Sequence, residues 1–301
     1  MPPSPPLIDP PDGGDARIDT PSPSRGPAMP LEDAEQLFGF DAFSPQEVSA
    51  LVRKSGVKKA GLPLLPQVML AILGGAFIGL GALYYVVVRS DPTLGFAARQ
   101  VLGGGVFCLG LIMVVIAGAE LFTGNNLLVM ARAQGLITTG QVLRNWTIVL
   151  FGNLVGAAGL AVLVYLAGHA TLNDGKVGQA YLAIAAGKAS LPFWTAFFKG
   201  VLCNALVCLA IWMSMAGRSV FDKVIVLLFP ISAFIAAGFE HSVANLYFFS
   251  LALLLDQGRD AALVLGMGRN LVAVVLGNAV GGGVLVGLVY YLIYVRGLNR
   301  V

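Results

Sequence analysis

Charge is what this chain of 301 residues most lacks. Asp, Glu, Lys and Arg together make up 12% of it, where a soluble domain carries roughly 25%. With 57% apolar residues and a mean hydropathy of +0.81, a soluble fold is excluded. Histidine is reduced to His169 and His241, and cysteine to Cys108, Cys203 and Cys208. An odd cysteine count, no Cys-x-x-Cys pair and positions inside apolar runs exclude a disulfide framework and a zinc knuckle. The cysteines are read as packing residues, and no metal, cofactor or catalytic centre is expected. Also missing are the alternating ten-residue strands of an outer-membrane barrel; apolar runs of twenty or more stand in their place. The net charge of +3 says little about partners, and nothing suggests nucleic acid.

Proline is nearly absent from those runs, because ten of the sixteen prolines fall in residues 1–30. Such a segment cannot bury enough surface to offset its ordering entropy, so residues 1–43 are expected to be a disordered cytoplasmic tail. It has no apolar stretch of the signal-peptide kind, and no cleavage is expected. Residues 44–60 follow as an amphipathic helix. Ser44 is its N-cap, Pro45 its first turn and Glu47 the closing member of a capping box. Val48, Leu51 and Val52 share one face, with Arg53, Lys54, Lys58 and Lys59 beyond. Two readings stay open for it: lying on an anionic membrane surface, or packing on the protein's own cytoplasmic face.

Residues 61–297 form the membrane domain and 298–301 a short tail. Six spans are expected at about 65–88, 101–130, 145–167, 194–216, 224–255 and 271–295, each past the roughly 20 residues a bilayer requires. The second and fifth are too long for one straight helix and carry polar interruptions at 120–126 and 240–245. Interruptions of this kind are tolerated where backbone lines a cavity. Lys and Arg number ten on the side of the amphipathic helix and six on the other, which places both termini in the cytoplasm.

The interruptions resemble each other. Gly118-Ala119-Glu120-Leu121-Phe122-Thr123-Gly124-Asn125 repeats its Gly, Glu and Asn in Gly238-Phe239-Glu240-His241-Ser242-Val243-Ala244-Asn245. Further on, Gly152-Asn153-Leu154-Val155-Gly156 matches Gly277-Asn278-Ala279-Val280-Gly281. Two matches in order outweigh chance recurrence in a glycine-rich chain. Spans one to three are therefore read as duplicated in spans four to six, and an odd unit must insert the second time upside down. The fold expected is an all-α membrane protein of six helices in two inverted three-helix repeats, with helices 2 and 5 broken.

An ionisable group at such depth marks a substrate or proton path, and His241 is the one imidazole there. A bare anion crosses an apolar constriction only at high desolvation cost. It needs a cationic partner or a proton, and imidazole titrates closest to neutral pH. Thr123 and Asn204 add a hydroxyl and an amide that would orient a small oxyanion or hold the ring. Lys188, read as part of an external loop, would draw anions to the mouth. Glu120 and Glu240 are expected to structure the breaks by accepting bonds from freed backbone amides, with a proton relay as the alternative. Asn125 and Asn245 are expected to tie the same loops.

The run from Ala117 through Gly124, the run from Gly200 through Ala210, the Gly217-Arg218-Ser219 and Asp222-Lys223 loop, and Gly238 to Asn245 resemble the signatures of the formate/nitrite transporter family. The resemblance covers roughly residues 44–297. It implies an aquaporin-like protomer, a homopentamer in the bacterial inner membrane with one pore per subunit, and passage of small monovalent anions with or without protons. Carried over by position, it makes His241 the central pore histidine, Thr123 and Asn204 its neighbours and Lys188 the vestibule cation. It makes Phe107, Leu111, Leu121, Phe122, Val207 and Phe234 the apolar constrictions. The Gly217 loop is similar to that of formate-type members, leaving nitrite and hydrosulfide as alternatives. The proline-rich tail departs from the family pattern. A neutral-solute pore of aquaporin type would want Asn-Pro-Ala at both breaks, where this chain has Asn125-Asn126-Leu127 and Asn245-Leu246-Tyr247. An intramembrane hydrolase would want a partner for Ser242 other than its neighbour His241, and His169 lies in a loop. No enzyme activity is expected.

Overall fold

The computed structural model describes residues 42–297; the proposed tail at 1–43 lies almost wholly, and that at 298–301 wholly, outside the described residues. Helix α1 spans Pro45–Ala60 and opens on the expected capping box. The Glu47 carboxylate accepts from the Ser44 amide and hydroxyl at 2.8 and 2.9 Å. Those bonds, the amide foremost, hold its carboxyl below the usual range. The apolar face of α1 packs on the protein itself. Val48 and Val52 are buried with Leu127, Met130 and Trp212 in one apolar cluster.

Helices α2 (Leu64–Arg89), α3 (Phe96–Met113), α4 (Phe122–Asn125), α5 (Leu128–Ala133) and α6 (Thr139–Leu166) complete the first half. A π turn, Val114–Gly118, ends α3. The second half comprises α7 (Lys176–Ala189), α8 (Phe193–Ala216), α9 (Val220–Ala236), α10 (Ser242–Asp256) and α11 (Ala261–Ala279). A wide π segment, Val280–Leu288, continues α11. Among the described residues there is no strand. Among the described residues five helical stretches are long and apolar enough to cross a membrane, and the fifth span expected from the sequence is divided between the shorter helices α9 and α10. The second stretch is shorter than expected. It ends at Gly118, and the chain is then extended at Ala119 and Leu121.

Both breaks turn on a glycine in the left-handed region, Gly118 at φ +88° and Gly238 at φ +69°, a conformation that penalises any residue with a Cβ. Beyond each break the chain crosses to the other half. Helix α10 packs on α6, and α5 packs on the π segment after α11. Within each half the first and third long helices approach backbone to backbone. A Cβ on Gly156 would stand 1.8 Å from the Ile72 carbonyl, and one on Gly281 would stand 2.1 Å from that of Val201. Small residues are what permit such contacts between helices in lipid.

One segment departs from the sequence expectation. Lys188 does not sit in a loop but in the last turn of α7, which packs on α10 as α1 packs on α5.

Substituting Gly156→Ala forces α2 and α6 apart and is expected to cost about 3 kcal/mol, the upper end for overpacking, read as a lower unfolding temperature in detergent. Gly159→Ala, whose Cβ meets nothing within 4 Å, should leave it unchanged or raise it slightly.

Candidate functional site

The two breaks are built from the same bonds. In the first, Asn153 Oδ1 accepts from the Phe122 amide at 3.0 Å. Its Nδ2 donates to the carbonyls of Ala71 at 2.6 Å and Glu120 at 2.9 Å. In the second, Asn278 Oδ1 accepts from the Ser242 amide at 2.9 Å. Its Nδ2 donates to the carbonyls of Gly200 at 2.8 Å and Glu240 at 3.1 Å. The amides of Glu120 and Glu240 donate to Leu70 and Lys199 on the first long helix of each half.

The carboxylates are held alike. Glu120 accepts from Asn125 at 2.6 Å and Glu240 from Asn245 at 2.7 Å. Those amides also reach Asn145 and Asn270, each at 2.8 Å. A lysine closes each cluster: Lys59 with Glu120 at 2.8 Å and Lys188 with Glu240 at 3.0 Å. The expectation that the two glutamates would take the freed backbone amides is therefore corrected. Asn153 and Asn278 take them, and the carboxylates face the lysines.

Lys59, Asn145, Asn153, Asn270 and Asn278 had no site role in the sequence reading, yet the signal for them exists. Lys59-Ala60-Gly61-Leu62-Pro63 is nearly repeated in Lys188-Ala189-Ser190-Leu191-Pro192, and Arg144-Asn145 in Arg269-Asn270. Pro63 and Pro192 each precede the first long helix of a half. The duplicated unit thus begins with α1 and α7, one helix before the first spans.

Where the halves differ is the residue preceding the short helix. In the first half it is Leu121, in the second His241. His241 Nδ1 accepts from the Ala244 amide at 3.1 Å, so in this arrangement the proton sits on Nε2, which lies 3.1 Å from Thr123 Oγ1. Asn204 does not touch the ring. Its Nδ2 lies 2.7 Å from Asn126 Oδ1, 2.7 Å from the Asn278 carbonyl and 3.2 Å from that of Thr123, which places it behind Thr123. Ser242 Oγ is buried without a hydrogen-bond partner, while the imidazole turns to Thr123.

Phe107, Leu111, Leu121, Phe122, Val207 and Phe234 belong to one buried apolar cluster. Phe234 lies parallel to the His241 ring at 5.8 Å and edge-on to Phe107 at 5.9 Å. Phe122 packs edge-on to Trp146. On the other side, Leu121 lines a cavity of about 410 Å³ with Lys58, Lys59, Glu120 and Lys223. The imidazole thus has an aromatic wall on one face, and Leu121, of the same apolar cluster as that wall, lines a cavity with basic residues. Among the described residues no group of His, Cys, Asp and Glu is placed to hold a metal.

Broken helices from an inverted duplication, meeting around one imidazole inside an apolar wall, define a multi-pass membrane transport protein. Residues 46–292 match the model of the formate/nitrite transporter family, and the chain belongs to that family. It is 37% identical over 274 residues to the formate channel FocA of Escherichia coli K12, covering 85% of this chain and 96% of that one. To a probable formate transporter of Methanothermobacter thermautotrophicus it is 36% identical over 282 residues, covering 86% and 100%. Among solved structures it is similar to a pentameric formate channel with formate bound, at a TM-score of 0.70 and 38% identity over 77% of this chain and 97% of that one. An FNT family ion channel superposes at a TM-score of 0.75 with 32% identity, covering 82% and 98%.

Lys59→Met would strand the Glu120 carboxylate. Breaking a buried pair costs about 3–5 kcal/mol, and the partial exposure of Lys59, 28% against 6% for its partner, puts the expected loss near or below the lower figure. Chemical unfolding should recover most of it in the Lys59→Met/Glu120→Gln double variant; equal losses in single and double variants would count against the pairing.

Proposed function

We propose that this chain is a pore for small monovalent anions, formate foremost, working as a homopentamer with one pore per protomer. Its place is the bacterial inner membrane with both termini cytoplasmic. The relatives named as formate channels and the pentameric formate-bound neighbour support the substrate and the assembly. The excess of Lys and Arg on the α1 side supports the orientation. The single observation that carries the mechanism is the His241–Thr123 contact at the meeting point of the two halves.

The steps follow from charge and solvation. Lys59 and Lys188 lie on opposite faces, with three crossings between them, and both draw anions toward the mouths. Past them the walls are apolar, and a carboxylate that sheds its water there without compensation is strongly disfavoured. The Nε2–H of His241 and the hydroxyl of Thr123 are the donors that meet it. A neutral imidazole supplies a hydrogen bond only. Handing over the proton itself requires a second proton, taken from the water at the mouth, at Nδ1, which displaces the Ala244 amide. The anion takes the Nε2 proton and leaves as the neutral acid, and the ring is left neutral with its proton on Nδ1 until exchange with water restores the Nε2–H form. Passage should therefore rise as pH falls. Phe107, Leu111, Leu121, Phe122, Val207 and Phe234 act as the constrictions that make the proton necessary, and Asn204 steadies Thr123.

In proteoliposomes, formate uptake is expected to increase toward acid by up to about tenfold per pH unit, the dependence set by one proton. His241→Asn keeps an amide donor for Thr123 but has no proton to exchange, and should flatten that profile. A profile unchanged by this substitution would remove His241 from the mechanism. Nitrite and hydrosulfide measured alongside formate decide among the anions, and faster uptake of either would displace formate as the principal substrate.

A further inference from the structure

We propose that Asn278 is the positioning residue of His241, fixing where the imidazole stands and which nitrogen carries its proton; the inference rests on the transport role of His241 given above. The residue is fully buried and holds the backbone on both sides of the histidine. Its Nδ2 bonds the Glu240 carbonyl immediately before the ring, and its Oδ1 takes the Ser242 amide immediately after. A third bond, to the Gly200 carbonyl, anchors the amide to α8.

The connection continues into a closed circuit. The carbonyl of Asn278 accepts from Asn204 Nδ2, and the same nitrogen bonds the Thr123 carbonyl. Thr123 Oγ1 then meets His241 Nε2. Ring and backbone of one residue are thus held from a single asparagine, directly on one side and through Asn204 and Thr123 on the other. Hydrogen bonds weaken steeply with length and angle. A small rotation of the Glu240 or Ser242 peptide therefore separates Nδ1 from the Ala244 amide, the bond that assigns the proton to Nε2. Without Asn278 those peptide groups lie in a place without water and must find other partners by turning.

The duplication supplies the control. Asn153 makes the same three bonds around Leu121. A purely structural role predicts equal consequences at 153 and 278, whereas a positioning role predicts that 278 alone alters the imidazole. The titratable groups around the ring are Glu240 beside it, Lys188 on α7 bonded to that carboxylate, and the thiols of Cys203 and Cys208 on α8. All are retained in both sets of variants.

The chain has only two histidines, so His169→Gln leaves one imidazole to observe. Full-length protein labelled with [15N]histidine, purified through a histidine-free tag and placed in liposomes, reports by solid-state NMR which ring nitrogen is protonated. In the His169→Gln background a single Nε2–H tautomer is expected at neutral pH. Asn278→Ala and Asn278→Ser should add an Nδ1–H signal. Asn153→Ala, which frees the Phe122 amide next to Thr123 but leaves the Ala244 amide on Nδ1, should lower the unfolding temperature comparably and keep the single Nε2–H tautomer. If Asn278→Ala does not assemble, Asn278→Ser, which keeps a small hydrogen-bonding side chain there without adding a charge beside the ring, carries the same readout. Retention of the single tautomer in the Asn278 variants, or an equal change on Asn153→Ala, overturns the assignment. Because the spectrum requires no substrate, its failure is distinguishable from failure of the formate reading.

Discussion

Where α3 and α9 stop, backbone donors and acceptors are left at a depth where water does not serve them. Each such group left unpaired in hydrocarbon costs several kcal/mol. Asn153 and Asn278 answer this with one side chain per break, each taking an amide and giving to two carbonyls. Once those bonds are made, the extended stretch has one path, and the short helix after it starts at a fixed point inside the protein. The position of Leu121 and of His241 is a consequence of that backbone constraint before any chemistry is considered.

Symmetry of the frame makes the asymmetry of the centre informative. Lys59, Glu120, Asn125, Asn145 and Asn153 have counterparts in Lys188, Glu240, Asn245, Asn270 and Asn278, with matching ion pairs and carboxylate–amide bonds; Lys59 adds a bond to Asn125 Oδ1 that Lys188 does not make to Asn245. The differences in residue type fall where the halves meet. Leucine stands opposite histidine, and Thr123 stands where the second copy has Val243. One copy therefore supplies the imidazole and the other the hydroxyl that meets it. A contact of 3.1 Å joins the imidazole of one copy to the hydroxyl of the other, and neither half has the pair alone.

Much of this was legible. The glycine, glutamate and asparagine of each break recur at fixed offsets, and these are the residues that set backbone turn, charge and amide pairing. What was missed lay outside the apolar runs. The Lys-Ala-x-Leu-Pro repeat precedes the spans, so a comparison of spans passes over it, and with it the true start of the duplicated unit. Helix α7 reads as loop because Gly175 caps it with no side-chain bond and its residues are small. Which atom bonds which could not be read at all. The glutamates and asparagines share the polar stretches, and only the path of the chain decides that asparagine faces the backbone while glutamate faces lysine. The π segments leave no mark in composition that an α-helix would not also leave.

The lysine pairs answer a further requirement of the proposed transport. An ammonium bare in a low-dielectric mouth would hold an anion too long, and a mouth with no cation would not gather it; conduction needs entry to be favourable and departure easy. Lys59 shares its charge between Glu120 Oε1 and Asn125 Oδ1. Lys188 shares its own with Glu240 Oε1 and lies 5.7 Å from the ring centre of Phe248. Each cation is thus partly neutralised by the carboxylate of its break, and on the proposed transport role its pull on a passing anion would be reduced without being lost. The same carboxylates are tied to Asn125 and Asn245, which lie in the first turn of the helix that follows each break. Attraction at the mouth and the geometry of the break are therefore not separate properties: a change that strengthened the pull by removing Glu120 or Glu240 would also loosen the helix start on which Leu121 or His241 depends.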